Sequence, residues 1–213
     1  MPAFDPEVRP ATTVAAVPAL LAAVARRPRV AAVLSLLPVG VALFFRDPHR
    51  RVDDTPAADD LVLSPADGKV MYVGPGQDGV APEGDWQQVS IFLSAFDVHV
   101  NRSPWSGTVT EVTYTPGKWL AAYKHESAHL NERSQVTVTD DRGRTVIFRQ
   151  IVGLMARRVV TRVHVGDEVR AGERIGVMKF GSRMDIFVPP EVRLEVTADE
   201  RTVAGETVLG RWL

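Results

Sequence analysis

The chain has no cysteine. That excludes disulfides, thiolate nucleophiles and cysteine-ligated zinc, while leaving the compartment open. It has almost no net charge either, with 25 Lys and Arg against 26 Asp and Glu, −1 in all at pH 7. No global field therefore argues for nucleic acid as a partner. Long apolar runs are also missing. Thr12 to Ala25 and Val30 to Phe45 are uncharged, but each falls short of the ~20 residues that a straight helix needs to cross a bilayer core. Both lean on alanine, which is only weakly apolar. Phe4-Asp5-Pro6-Glu7 puts acid where the basic start of a signal peptide belongs, so no signal peptide is expected.

What is present is an ordinary globular composition, 213 residues with 45% hydrophobic and 24% charged, enough for one domain or one domain with an appendage. The two apolar runs are bracketed by Arg26-Arg27-Pro28-Arg29 and Arg46-Asp47-Pro48-His49-Arg50-Arg51. Arginines at the ends of an apolar run suit anionic headgroups on the cytoplasmic face of a membrane. Residues 1–52 are therefore expected to form an apolar helical membrane-association region, peripheral or shallowly inserted, the alternative being two buried core helices. Residues 53–213 read as a separate, β-rich catalytic domain.

From Leu61 onward short apolar runs alternate with turn signals: Leu61-Val62-Leu63, Val70 to Val73, Val89 to Leu93, Val98-His99-Val100, Gly107 to Thr115, Gln135 to Thr139 and Thr145 to Val152. Such spacing predicts an all-β sandwich or barrel. One helix interrupts it, predicted over Trp119 to Leu130. The segment Val163 to Val177 resembles the turn-strand-turn module of biotinyl and lipoyl domains. Gly166-Asp167 and Gly172 supply its tight turns, and Val169 and Ile175 point into a small core. The predicted fold is thus mainly β, a barrel-sandwich hybrid-like core with an apolar helical segment before it.

Three stretches offer chemistry. Met178-Lys179 is similar to the methionine-lysine pair that carries biotin, so a non-enzymatic carrier or envelope module with a modified Lys179 is one reading. His125-Glu126-Ser127-Ala128-His129 matches the H-E-x-x-H zinc pattern, which on the predicted helix sets both histidines on one face. A zinc hydrolase is therefore a second reading, against the plainer one of a solvated helix with no metal. The third is Gly181-Ser182, set between two strand-like runs where a bulge with a solvent-facing serine would be the plain reading. A serine after a glycine also has its hydroxyl within reach of the preceding carbonyl carbon, provided the backbone is held in an unusual geometry that glycine tolerates. Two further residues suit proton chemistry. Asp67 sits in the turn Pro65-Ala66-Asp67-Gly68, and His99 lies among apolar residues in Phe96 to Arg102, where burial and a carboxylate would tune it.

Taken in order, these motifs resemble the phosphatidylserine decarboxylases, in their short, membrane-associated form. The likeness runs from Phe44-Phe45-Arg46-Asp47-Pro48 through Ser64-Pro65-Ala66-Asp67-Gly68, Asp97-Val98-His99-Val100-Asn101-Arg102 and Asn131-Glu132-Arg133. It closes with Phe180-Gly181-Ser182-Arg183-Met184-Asp185. The resemblance implies a proenzyme that cuts itself between Gly181 and Ser182. The products are a large chain (1–181) and a small chain (182–213) that stay associated. Ser182 becomes a pyruvoyl group, no external cofactor being needed, and its ketone forms a Schiff base with the serine phospholipid. His99 is the candidate base and Asp67 its orienting carboxylate. Longer members carry a second histidine where this chain has Arg102, which makes Arg102 a candidate for the lipid's carboxylate or phosphate. Partners implied are a phospholipid in the membrane and, as an expectation only, a second copy of the chain.

Overall fold

A computed structural model describes residues 3–50, 60–154, 159–179 and 181–213. Phe180 and the expected boundary at residues 52 and 53 lie outside the described residues. The chain divides into two compact units, Met1–His49 and Arg50–Leu213.

In the first unit a two-residue strand pair, β1 (Ala3–Phe4) with β2 (Arg46–Asp47), closes around three helices, α1 (Val8–Val24), α2 (Pro28–Leu34) and α3 (Leu36–Phe44). The sequence suggested two apolar helices; there are three, because the second apolar run is divided at Ser35 into α2 and α3. Pro28 occupies the first turn of α2, where its missing N–H costs nothing. Arg26 between α1 and α2 takes a left-handed φ of 56°, which ends the first helix. α1 also carries Pro18 in its interior. Among the described residues no helix is long and apolar enough to cross a membrane. The expected apolar helical membrane segment is therefore not supported.

The second unit is mainly β. Its strands are β3 (Leu61–Leu63), β4 (Gly68–Pro75), β5 (Gln87–Leu93), β6 (Val100–Arg102), β7 (Gly107–Thr115), β8 (Arg133–Thr139) and β9 (Thr145–Ile151). They continue with β10 (Val159–Thr161), β11 (Glu168–Val169), β12 (Arg174–Met178), β13 (Ser182–Val188), β14 (Val192–Leu194), β15 (Arg201–Thr202) and β16 (Val208–Trp212). An antiparallel sheet of eight strands runs in the order β11-β7-β8-β9-β13-β5-β4-β15. Register shifts between Val70 and Tyr72 and between Val109 and Glu111 bend it. Two three-stranded sheets, β10-β12-β6 and β14-β16-β3, complete the unit.

Alternation along β13 explains where the core sits. Met184, Ile186 and Val188 point to one face and join Ile91, Leu93, Val136, Phe148, Ile175 and Met178 in the main core. Val169 and Ile175, expected to face a small core, both belong to it. Arg183, Asp185 and Phe187 point the other way, where Phe187 packs with Val80, Ala128 and Ile147. Both faces of β13 are covered, so all seven residues are buried.

The predicted helix over 119–130 shrinks to one turn, α4 (Ser127–Leu130). The backbone groups it would have used are taken by side chains. Asn131 Oδ1 accepts the Leu120 N–H at 2.9 Å, and its Nδ2 donates to the Leu120 carbonyl at 2.8 Å. Ser127 Oγ lies within bonding distance of the carbonyls of Ala122, 3.0 Å, and Lys124, 2.6 Å. Side chains that bind nearby backbone compete with helix formation.

Candidate active site

Ser182 opens β13, paired with Leu93 of β5. It shares the parity of Met184 and Ile186 and therefore faces the main core side. Its residue exposure is 0%, and its Oγ has no hydrogen-bond partner among the described residues. A buried hydroxyl is normally bonded, because leaving it unpaired costs about 1–3 kcal/mol. The solvent-facing serine on a bulge is thereby ruled out. Gly181 before it holds φ at +70°, in the left-handed region that a side chain disfavours.

His99 lies just before β6, 1% exposed. The carbonyl of His99 accepts the Met178 N–H of β12 at 3.1 Å, which fixes the backbone behind the ring. The ring itself is held at both nitrogens. Nδ1 lies 2.9 Å from the Asp97 carbonyl oxygen, and Nε2 lies 3.3 Å from the Gly181 nitrogen. A carbonyl only accepts, so Nδ1 carries the proton. Nε2 then accepts the Gly181 N–H with its lone pair. This is the neutral imidazole, its basic nitrogen turned to the residue that precedes Ser182.

Asp67 was expected to orient that imidazole, but the Asp97 carbonyl takes that position. The Asp67 carboxylate instead meets Arg50 Nη2 at 2.7 and 3.0 Å and accepts the Ala204 N–H at 2.8 Å. Burial pushes its pKa above the usual 3.8; the bonds from Ala204 and Arg50 oppose that, and the nearby Asp97 charge adds to it. Asp97 is itself buried. Its Oδ2 accepts from Ser94 N, 2.8 Å, and Ser94 Oγ, 2.6 Å, while Arg201 pairs with Oδ1. The structure thus brings Gly181, Ser182 and His99 together and sets Asp67 in a second, adjoining ion-pair cluster.

Arg102 is 5% exposed, and its Nη1 donates to the Gly172 carbonyl at 2.8 Å. His125 lies outside α4, with 6.5 Å between its ring centroid and that of His129. Among the described residues no group of three or more His, Cys, Asp or Glu side chains is arranged to hold a metal.

Sequence reading missed the contributions of Asp97, Arg50 and Arg201. Asp97 acts through its backbone carbonyl, which leaves no trace in residue type. Arg50 and Arg201 find carboxylates 17 and 104 positions away, pairings that only the folded sheet creates.

A family model described as phosphatidylserine decarboxylase matches residues 40–210. This chain belongs to the phosphatidylserine decarboxylase family. Among its relatives is the phosphatidylserine decarboxylase proenzyme of Solibacter usitatus, 48% identical over 80% of this chain and 78% of the relative. That of Symbiobacterium thermophilum is 45% identical over 84% of this chain and 82% of the relative. A third, from Chlorobium phaeobacteroides, is 45% identical over 85% and 84%. These relatives disfavour both the biotinyl-type carrier built on Lys179 and the zinc hydrolase built on His125 and His129.

Proposed function

We propose that the protein is made as a precursor, cuts itself between Gly181 and Ser182, and decarboxylates phosphatidylserine to phosphatidylethanolamine. The observation that carries the reading is the buried, unpartnered Ser182 hydroxyl beside a left-handed glycine whose N–H is held by a neutral imidazole.

In self-cleavage Ser182 Oγ bonds to the Gly181 carbonyl carbon, and its proton passes to His99 Nε2. Collapse breaks the Gly181–Ser182 C–N bond, the proton returns to the nitrogen, and an ester replaces the amide. Loss of the residue-182 Cα proton then expels the Gly181 carboxylate. Hydrolysis of the resulting dehydroalanine releases ammonia and leaves a pyruvoyl group at position 182. Ser182 and His99 are buried, which keeps water from the ester until elimination. The residues fit such a group, since the Ser182 hydroxyl is already buried and without a partner among the described residues. Once formed, the group supplies the electron sink for the carbanion that departing CO₂ leaves. His99 is then the proton donor that quenches it. Asp67 acts on the site's charge, and Arg102 is the candidate for the lipid headgroup.

Cleavage would give chains of 181 and 32 residues. They stay together in this account because β13 lies between β9 and β5, and Asp97–Arg201 and Asp67–Ala204 cross from one product to the other. The arrangement fits a barrel-sandwich hybrid core. The first unit exposes Val14, Leu20, Leu21, Val24, Val33 and Leu36, an apolar surface suited to lying in the cytoplasmic face of the membrane beside the lipid substrate.

Pelleting with phosphatidylserine vesicles tests the whole reading. The wild-type protein should sediment with the vesicles and release CO₂, whereas Ser182→Ala should sediment but release none. His99→Ala should lose about 10²–10⁴-fold in cleavage or turnover. CO₂ release from an uncut Ser182→Ala protein would overturn it.

A further inference from the structure

We propose that the β unit itself meets the phospholipid bilayer, through the end of its large sheet that holds Gly181 and Ser182. The inference rests on the reading that the substrate is a membrane phospholipid. It adds a contact made by the unit that carries the serine.

Strand registers define that end. Thr115 lies opposite Arg133, Arg133 opposite Ile151, Ile151 opposite Arg183, Arg183 opposite Phe92 and Phe92 opposite Lys69. Past this row lie residues 94–99 after β5, residues 116–132 between β7 and β8, residues 152–154 after β9, and Gly181. Among the described residues the β unit exposes eight large hydrophobic side chains, and five of them are here: Phe96, Trp119, Tyr123, Leu130 and Leu154. Phe96 is 87% exposed, Leu154 67% and Tyr123 65%. Hydrophobic side chains scattered singly over a surface are ordinary. Their collection at the end that carries the reactive serine is not scatter.

Contacts tie these side chains to the scissile bond. A Cβ on Gly153, the neighbour of Leu154, would strike the Gly181 carbonyl oxygen and lie 3.3 Å from Cβ of Ala122, the neighbour of Tyr123. The Tyr123 ring meets Phe92 edge to face, with 6.0 Å between centroids. Phe92 in turn precedes Leu93, the strand partner of Ser182. Phe96 stands three residues before His99. Trp119 has the amphipathic form that suits a headgroup boundary. Its Nε1 donates to Glu132 Oε2 at 3.2 Å, so the indole takes no unpaired N–H into the interface.

Charge separates the two ends of the sheet in the same sense. In the connections beside Ser182, Lys118 and Lys124 are exposed against one exposed acid, Glu126, while Asp97 and Glu132 are buried. The far end is where Pro75 pairs with Gln87 and Thr139 with Thr145. Its loops expose Asp78, Glu83, Asp85 and Asp141 against Arg142. An anionic leaflet attracts the first end and repels the second. The occupant of the apolar end is therefore a lipid surface. Its aromatic and aliphatic side chains enter the interface, the lysines lie at the headgroups, and the lipid's amine reaches residue 182 without leaving the bilayer.

Tryptophan fluorescence gives the test, because none of the 4 tryptophans lies in residues 1–49 and their emission reports the β unit alone. The full-length protein is mixed with vesicles of phosphatidylglycerol and phosphatidylcholine brominated along its acyl chains. These quench only rings that enter the bilayer, and they hold no phosphatidylserine. Wild-type emission should be quenched, and Trp119→Phe should abolish the quenching. Phe96→Trp is the second probe and should deepen it, whether or not Trp119→Phe folds. Phe96→Ser with Leu154→Ser should act on turnover. The ratio of the rate on vesicle phosphatidylserine to that on dispersed short-chain phosphatidylserine should fall about 10-fold. No quenching, quenching kept by folded Trp119→Phe, no deepening by Phe96→Trp, or an unchanged ratio would each overturn the proposal. A dimer in solution that the same double substitution breaks would do so too, since a second copy would then cover this end. Quenching traced to Trp119 without CO₂ release from either form of phosphatidylserine would bear out the bilayer contact and contradict the decarboxylase reading instead.

Discussion

At the scale of single residues, burial decides how the site's charges behave. Asp67 is pushed above its ordinary value of 3.8, because desolvation outweighs its bonds from Ala204 and Arg50. A raised carboxyl favours the protonated form in the folded state. Its contribution to stability is present below pH 3.8 and is lost as pH rises through the elevated folded value. Asp67→Asn removes that loss. In the uncut Ser182→Ala background, the melting temperature of Asp67→Asn relative to its parent should therefore improve as pH rises above 3.8 and level off above the elevated folded value. A difference that is flat with pH would show that Asp67 is not raised. The strand-like runs around Gly181-Ser182 and the apolar setting of His99 were legible in the sequence. The partner of the imidazole was not. A backbone carbonyl serves as well from any residue type, so the eye goes to the nearest carboxylate in sequence, and here that carboxylate is bonded elsewhere.

At the scale of elements, the sheet was readable and the helix was not. Short apolar runs between turn signals mark β5 and β9 as strands buried on both faces, and β8 alternates with one face in the core. Their order is another matter, since β13 lies between β5 and β9 and no local pattern announces pairings that distant. The stretch 119–130 has helical composition but is organised by Asn131, whose side chain takes the N–H and the carbonyl of Leu120 and the carbonyl of Val152. Asn131→Ala would leave these buried groups unpaired at about 1–3 kcal/mol each. It should destabilise the Ser182→Ala precursor by about 3 kcal/mol in denaturant melts. A loss below about 0.5 kcal/mol would mean that water replaces the amide without cost. The same buried second face explains Arg149, whose pKa is lowered to about 10, burial being the largest cause and the neighbouring Arg133 and Arg183 lowering it further.

At the scale of the whole molecule, the chain divides into a helical unit rich in exposed apolar side chains and a β unit that contains Ser182 and His99. The apolar runs before residue 46 and the break between them at 26–29 were visible in the sequence, where the left-handed Arg26 and the proline opening α2 separate α1 from α2. The further break at Ser35, which divides the second run into α2 and α3, was not. Family membership was legible because the motifs recur in order, from Phe44 to Asp185, whatever the distances between them. The central claim is that the chain is a proenzyme whose own serine becomes its reactive carbonyl. The most direct measurement is the intact mass of the purified protein under denaturing conditions. The account expects two species cut after Gly181. The 32-residue one should be lighter by about 17 mass units than a peptide starting with serine, because ammonia has left. A single uncut chain in a preparation that releases CO₂ from phosphatidylserine vesicles would contradict it.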